Sequence, residues 1–150
     1  MNNKEYGLID IPPFYRNLIV CMGDKETLRK CLLEYHDENI VNEVLELVKD
    51  TSLGRTVYSE DTGVFFLWVL QKPKTAQDMG FLLHEIFHAA CAVMSGIGCN
   101  PSDDSEEVYA YLITFLTEKI LKDFSISFSS CQEPTRITRN YKKLQEIWKK

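Results

Sequence analysis

Residues 64–96, VFFLWVLQKPKTAQDMGFLLHEIFHAACAVMSG, carry the plan of this chain. They open with seven consecutive bulky residues, Val64 to Leu70, of the β-branched and aromatic kind that suits a pleated surface. A continuous apolar run, rather than alternation, predicts a strand covered on both faces or partly so. Lys72-Pro73-Lys74 stops it, because proline removes a backbone donor and restricts the residue before it. From about Thr75 to Ser95 the spacing predicts a long helix, ended near Gly96 and Gly98. Inside that helix stands His84-Glu85-Ile86-Phe87-His88.

Upstream, Arg55 to Tyr58 is rich in strand formers and Ser59 to Gly63 is turn chemistry, so a hairpin leads into Val64. Asn17 to Cys21 reads as a further short strand. Asp24 opens a helix with Leu28, Cys31, Leu32 and Tyr35 on one face, and a second runs from about Glu38 to Lys49. Residues 1–13 show no clear periodicity. Downstream, Asn100-Pro101-Ser102 is loop, and Asp103-Asp104-Ser105-Glu106-Glu107 opens a helix reaching about Asp123. Asp103 with Glu106 resembles a capping box. This order predicts an α+β fold, a small mixed or antiparallel sheet packed against helices.

Length and composition set the bounds. At 150 residues and 45% hydrophobic, the chain suits one core and exceeds what a disordered segment carries. No apolar run approaches the roughly 18 residues of a membrane span, so no membrane partner is expected. Five widely spaced cysteines (Cys21, Cys31, Cys91, Cys99, Cys131) form no C-x-x-C pair. Reduced thiols and a cytoplasmic setting are therefore expected, the host cytoplasm or a virion if the gene is a phage's. The net charge of −5 conceals an asymmetry: residues 134–150 hold six bases against one acid, Glu146, on an acidic body. One domain over 1–133 is the expected organisation, with a basic helix or tail at 134–150 packed on it or appended to it.

The histidine pair carries the chemistry. Residues four apart on a helix lie one turn above each other, so both imidazoles point to one side and can grip one metal ion. Zinc, one per chain, is the expected ion because it accepts nitrogen and oxygen ligands and keeps a position open. Glu85, rotated off that face, is placed to act as general base. Chance would produce H-E-x-x-H in a chain of this composition on the order of half a per cent of the time.

A catalytic zinc site needs a third protein ligand. A downstream third histidine is absent: Cys91 and Met94 stand where a longer motif would have glycine and histidine. His36 reads as a surface residue. The acidic cluster is the better source, with Glu107, 19 residues after His88, as the first candidate and Glu106 as its neighbour about 100° around the helix. The simpler reading of the cluster is helix capping and complementing of the macrodipole.

His84-Glu85-Ile86-Phe87-His88 followed by Glu107-Val108-Tyr109-Ala110-Tyr111 resembles the gluzincin branch of the zincins, and is similar to compact H-E-x-x-H proteins of bacteriophages. The resemblance covers about residues 64–122. It implies a zincin-like fold and a zinc metallopeptidase, with His84, His88 and Glu107 as ligands and Glu85 as the base that works on zinc-bound water. It also implies a peptide or protein substrate and a strand before the helix, Val64 to Leu70, that pairs with it. No histidine follows His88, so Tyr111, one turn after Glu107, is the candidate transition-state donor, against a simpler reading as core packing. Two rivals stand beside this reading. One is a zincin-fold protein that holds zinc, cleaves nothing and serves as a binding or phage accessory factor. The other, a nucleic-acid partner for the basic tail, is disfavoured by the lack of any nucleic-acid module.

Overall fold

The computed structural model describes residues 4–127. The expected basic segment at 134–150, and Cys131, lie outside the described residues. Strands β1 (Tyr6–Ile11) and β2 (Arg16–Met22) form one antiparallel hairpin, and β3 (Gly54–Ser59) and β4 (Val64–Val69) form another. The hairpins join through a parallel pairing of β2 with β4, Ile19 opposite Phe66 through Met22 opposite Val69, giving the order β1-β2-β4-β3. Parallel neighbours need a long crossover. Helices α1 (Lys25–Leu33) and α2 (Glu38–Glu46) lie within it, and α3 (Ala76–Gly96) and α4 (Glu106–Asp123) follow β4.

Strand alternation sorts the apolar residues into two cores. Ile19, Cys21, Val64, Phe66 and Trp68 pack against Leu28, Leu32, Val41 and Val44 of α1 and α2. Leu18, Val20, Phe65, Leu67 and Val69 pack against Leu82, Ile86, Ala89 and Val93 of α3 and against Leu112 and Leu116 of α4. The sheet is therefore the middle of three layers. At roughly 1.5–3 kcal/mol for each fully buried large side chain, this double-sided burial is the main favourable term. The architecture is mixed α and β, as expected, and all six residues of β4 are buried.

Three expectations change. Residues 6–11 form a strand, β1, whose Gly7, Ile9 and Ile11 turn inward while Leu8 and Asp10 turn out. Its alternation is hidden in sequence because the inward set includes a glycine and the outward set a leucine. The run Val64–Val69 is not the strand open to a peptide: β4 is paired by β2 on one side and β3 on the other, so its backbone groups are taken. The free edge beside α3 belongs to β3, which among the described residues pairs with β4 alone. Lastly, α4 begins without the expected Asp103–Glu106 box. Its N-cap is Ser105, whose hydroxyl instead donates to the Asn100 carbonyl at 2.7 Å and ties down the preceding loop.

The other helices are capped as their sequences suggest. Asp24 accepts from the Thr27 amide at 2.8 Å and Asp37 from the Asn39 and Ile40 amides. Helix α3 has a full capping box: Thr75 Oγ1 accepts from the Asp78 amide, and the Asp78 carboxylate accepts from the Thr75 amide. By length and apolarity α3 is also the one described helix able to cross a bilayer, with a mean hydropathy of 1.2 over its most apolar window. That apolarity has a local cause, since Leu82, Ile86, Ala89, Ala90, Val93 and Met94 face the sheet and α4.

Removing the α3 cap with Thr75→Ala should lower stability by about 1 kcal/mol in denaturant unfolding. The Asp78 carboxyl is held below the usual aspartate range, chiefly by the Lys74 amide and then by the Gln71 side chain. Its contribution is therefore complete above the unfolded aspartate value of about 3.9 and drains as pH falls through the lower folded value. Asp78→Asn should flatten the acid limb of a stability–pH curve and leave the neutral-to-alkaline limb unchanged.

Candidate metal centre

The H-E-x-x-H turn occupies the middle of α3, opposite β3. On the helix, Leu82, Ile86, Ala89 and Val93 form the buried stripe, which leaves positions 84 and 88 on the outer side. There His84 and His88 stack edge to face, ring centroids 4.6 Å apart at 81°, and their Nε2 atoms meet at 3.0 Å. Both imidazoles are exposed.

Glu85 is rotated by one residue and faces β3. It is only 7% exposed, and Thr56 Oγ1 donates to its Oε2 at 2.8 Å and lies 3.0 Å from its backbone carbonyl. Gly54 makes the space: a Cβ there would come 2.9 Å from Glu85 Cγ, 3.1 Å from Oε1 and 3.2 Å from the Trp68 carbonyl. The first of these is closer than Cβ atoms come and the other two are tight, so a side chain at 54 would push Glu85 aside, and glycine at 54 with a hydroxyl at 56 together seat the carboxylate. By local pattern Gly54 is the end of a turn and Thr56 an ordinary strand residue, and neither pattern points to Glu85. The hint was a glycine opening a strand, which often marks close backbone approach.

These groups share one hollow of about 450 Å³, lined by Gly54, Arg55, Thr56 and Tyr58 of β3 and by His84, Glu85, His88 and Ala92 of α3. The β3 rim is polar in its backbone. Leu70 N donates to Leu53 O at 3.0 Å, which sets the alternation. Leu53, Arg55 and Val57 turn their amides and carbonyls to β4, whereas Gly54, Thr56 and Tyr58 turn theirs outward over the hollow. At one end the Tyr58 hydroxyl donates to Glu60 Oε1 at 2.9 Å, and the Arg16 guanidinium lies over the Tyr58 ring, 5.6 Å from its centroid.

Glu107 and Tyr111 do not line this hollow. Helix α4 packs beside α3, but it turns Tyr109, Leu112, Leu116 and Ile120 onto the core. Glu107 and Tyr111 each stand two residues from Tyr109, about 200° around the helix, and so face outward. Glu106 is exposed as well. Tyr111 is 73% exposed, so the simpler reading of it as core packing does not hold. The core tyrosine is Tyr109, whose hydroxyl donates to the Cys99 carbonyl at 3.0 Å. Among the described residues no three His, Cys, Asp or Glu side chains gather closely enough to hold an ion. His36, read as a surface residue, is half-buried, and its Nε2 is enclosed with no hydrogen-bond partner among the described residues.

The donor set can be tested against a zinc ion. Two nitrogens held at about 2.0–2.1 Å from a tetrahedral ion stand about 3.3 Å apart. The His84–His88 separation of 3.0 Å is close to that bite. The pair thus fits two of the ligand positions, and the third is not gathered. Comparison of the chain with protein-family models, with curated proteins and with solved structures finds no match.

The seat of Glu85 yields a stability test. Thr56→Val keeps the shape of the side chain but leaves a nearly buried carboxylate without its donor, which should cost roughly 1–3 kcal/mol. Thr56→Ser should lose little of this. Denaturant unfolding of the two variants at neutral pH provides the comparison.

Proposed function

We propose that this protein is a zinc-dependent metallopeptidase of the zincin type, acting on extended peptide segments. The observation that carries the reading is the meeting of His84 and His88 Nε2 atoms at 3.0 Å in a hollow they share with Glu85, under the edge of β3 that no other described strand pairs. His84 and His88 would hold the ion. Glu107 is the proposed third ligand, with Glu106 as its neighbour. Both lie in the first turn of α4, where an exposed glutamate has rotamer freedom to spare. Tyr111 is tied to Glu107: they share one face a turn apart, so a shift of α4 that brings in one brings the other.

A zinc ion bound there would supply Lewis acidity toward a carbonyl oxygen and make water acidic enough to react near neutral pH. The chain supplies the rest. Glu85, anchored by Thr56, takes a proton from the attacking water and returns it to the leaving amine. The outward amides and carbonyls of Gly54, Thr56 and Tyr58 offer a peptide the hydrogen bonds of an added strand. Holding the scissile amide beside Glu85 removes much of the entropic part of the barrier.

A second reading draws on a specific observation as well. The Glu85 carboxylate is already engaged by Thr56, and among the described residues no third ligand lines the hollow, which favours a zinc-holding protein that cleaves nothing. Two measurements separate the readings. Metal analysis of protein purified with zinc present should find one zinc per chain, lost in His84→Ala and retained in Glu85→Gln. Cleavage of a fluorescent denatured protein should fall by at least about a thousandfold in Glu85→Gln. Zinc bound without any cleavage by the wild type selects the silent protein, and a folded, metal-free chain under these conditions overturns both. Glu107→Gln should weaken zinc binding at least tenfold, and the same loss in Glu106→Gln alone would move the ligand to Glu106.

A further inference from the structure

Helix α4 carries more apolar surface than the core uses. Tyr109, Leu112, Leu116 and Ile120 meet the core, while Val108 (44% exposed), Tyr111 (73%) and Phe115 (37%) face solvent. The exposed three recur at three and four residues, so they form a second stripe, about a third of a turn around the helix from the first. A surface helix would carry polar residues there, and an apolar patch left in water marks an interaction surface. Glu107 and Glu118 flank the stripe, and Asp103 and Asp104 precede the helix. All four acids are exposed, and none is paired with a base among the described residues.

At its other end α4 closes in a Schellman turn. Ser125 stands in the left-handed region at φ 50, its amide donates to the Lys122 carbonyl at 3.1 Å, and the Ile126 amide donates to the Leu121 carbonyl at 2.9 Å. A serine here adopts a conformation that favours glycine, and the turn lays Ile126 against the core instead of letting the chain run on along the helix axis. The segment that comes next in sequence matches the exposed stripe. Ile137, Tyr141, Leu144 and Trp148 recur at four, three and four residues, a spacing that puts all four on one face of a helix. Six bases, among them Lys142 and Lys143, stand around them against one acid. Reach is no obstacle. Val108 lies about 22 Å along α4 from Asp123, and the thirteen residues from 124 to 136 span up to about 40 Å when extended.

We propose that residues 134–150 dock on the Val108–Tyr111–Phe115 face of α4, and that this contact competes with zinc for Glu107. The apolar row covers the stripe, and the bases meet Glu107, Glu118 and the acids that precede the helix. The docking stands on α4 and the sequence alone, whereas the competition rests on the reading of Glu107 as third ligand. A carboxylate paired with a base on the outer face of α4 is not free to reach an ion at His84 and His88. The segment thus holds the third ligand off until it is displaced. By linkage, zinc weakens the docking by the same factor that docking weakens zinc.

The test uses the full chain labelled with fluorinated tryptophan. Trp68, buried in the core under α1 and α2, reports folding, and the fluorine resonance lost in Trp148→Phe reports the segment. In monomeric protein without zinc, Val108→Ser with Phe115→Ser should move the Trp148 resonance to the position of a free tryptophan peptide and leave that of Trp68 in place. Lys142→Glu with Lys143→Glu should do the same, and decides the matter if the double serine variant does not fold. A Trp148 resonance already at the free position in the wild type, or one that ignores these changes in folded variants, overturns the docking. So does a dimer that the serine substitutions dissociate, which would put the stripe against a second copy, or a resonance that answers to a DNA duplex and not to α4. Zinc affinity is then read against a chromophoric chelator. Undocking should tighten zinc at least about fivefold, and the gain should vanish in a Glu107→Gln background. Docking with no change in zinc affinity overturns the competition alone. A chain that binds no zinc in any form overturns the competition together with the metal reading, and leaves the docking standing.

Discussion

Everything in this fold depends on β4 being occupied on all four sides. Its six residues are buried on both faces, and its two backbone edges are taken by β2 and β3. A strand of this kind has no polar group left to offer water, so each face needs a helical layer and each edge a partner. The parallel partner, β2, obliges the chain to cross over, and α1 and α2 lie in that crossover. The antiparallel partner, β3, is left as the rim of the sheet. Helix α3 then packs on the remaining face, with its outer side exposed along that rim. The cleft between β3 and α3 follows from filling the core.

Within the cleft the decisive term is the burial of one carboxylate. A nearly buried glutamate is costly unless its oxygens are satisfied, and here a threonine hydroxyl does this across the strand–helix boundary. The absence of a side chain at Gly54 is equally important, because any Cβ there would collide with the glutamate it backs. The His pair has the opposite character, exposed and adaptable, with its two nitrogens already within a few tenths of an ångström of a shared ligand's bite. One rigid acid and two adjustable donors is a combination suited to metal-assisted proton transfer.

Much of this was legible in the chain itself. The turn carrying His84, Glu85 and His88 follows from helical periodicity, and the hairpin before it from turn chemistry at Ser59–Gly63. The burial of Leu112, Leu116 and Ile120 in α4 follows from the same period, but that of Tyr109 does not, and Val108 and Phe115 at the same helical spacing are exposed. β1 was missed because Gly7 and Leu8 blur its alternation. Gly54 and Thr56 went unnoticed because their role exists only toward a residue some thirty positions away. The N-cap of α4 was misplaced because Asp103 fits the local pattern, whereas Ser105 is chosen by its bond to the Asn100 carbonyl.

What the sequence by itself determined is everything carried by short-range periodicity: that the two histidines share one helical face, that Glu85 does not, and that the apolar run from Val64 is a strand covered on one face or both. Only the tertiary structure decided which strand would be left with a free edge, since pairing partners are set by the global fit of two cores. The orientation of α4 was decided at the same level. Its four-residue apolar stripe must meet the sheet, and that choice turns Glu107 and Tyr111 outward, away from the histidine pair. Local spacing placed all five residues in sequence; long-range packing brought three of them together.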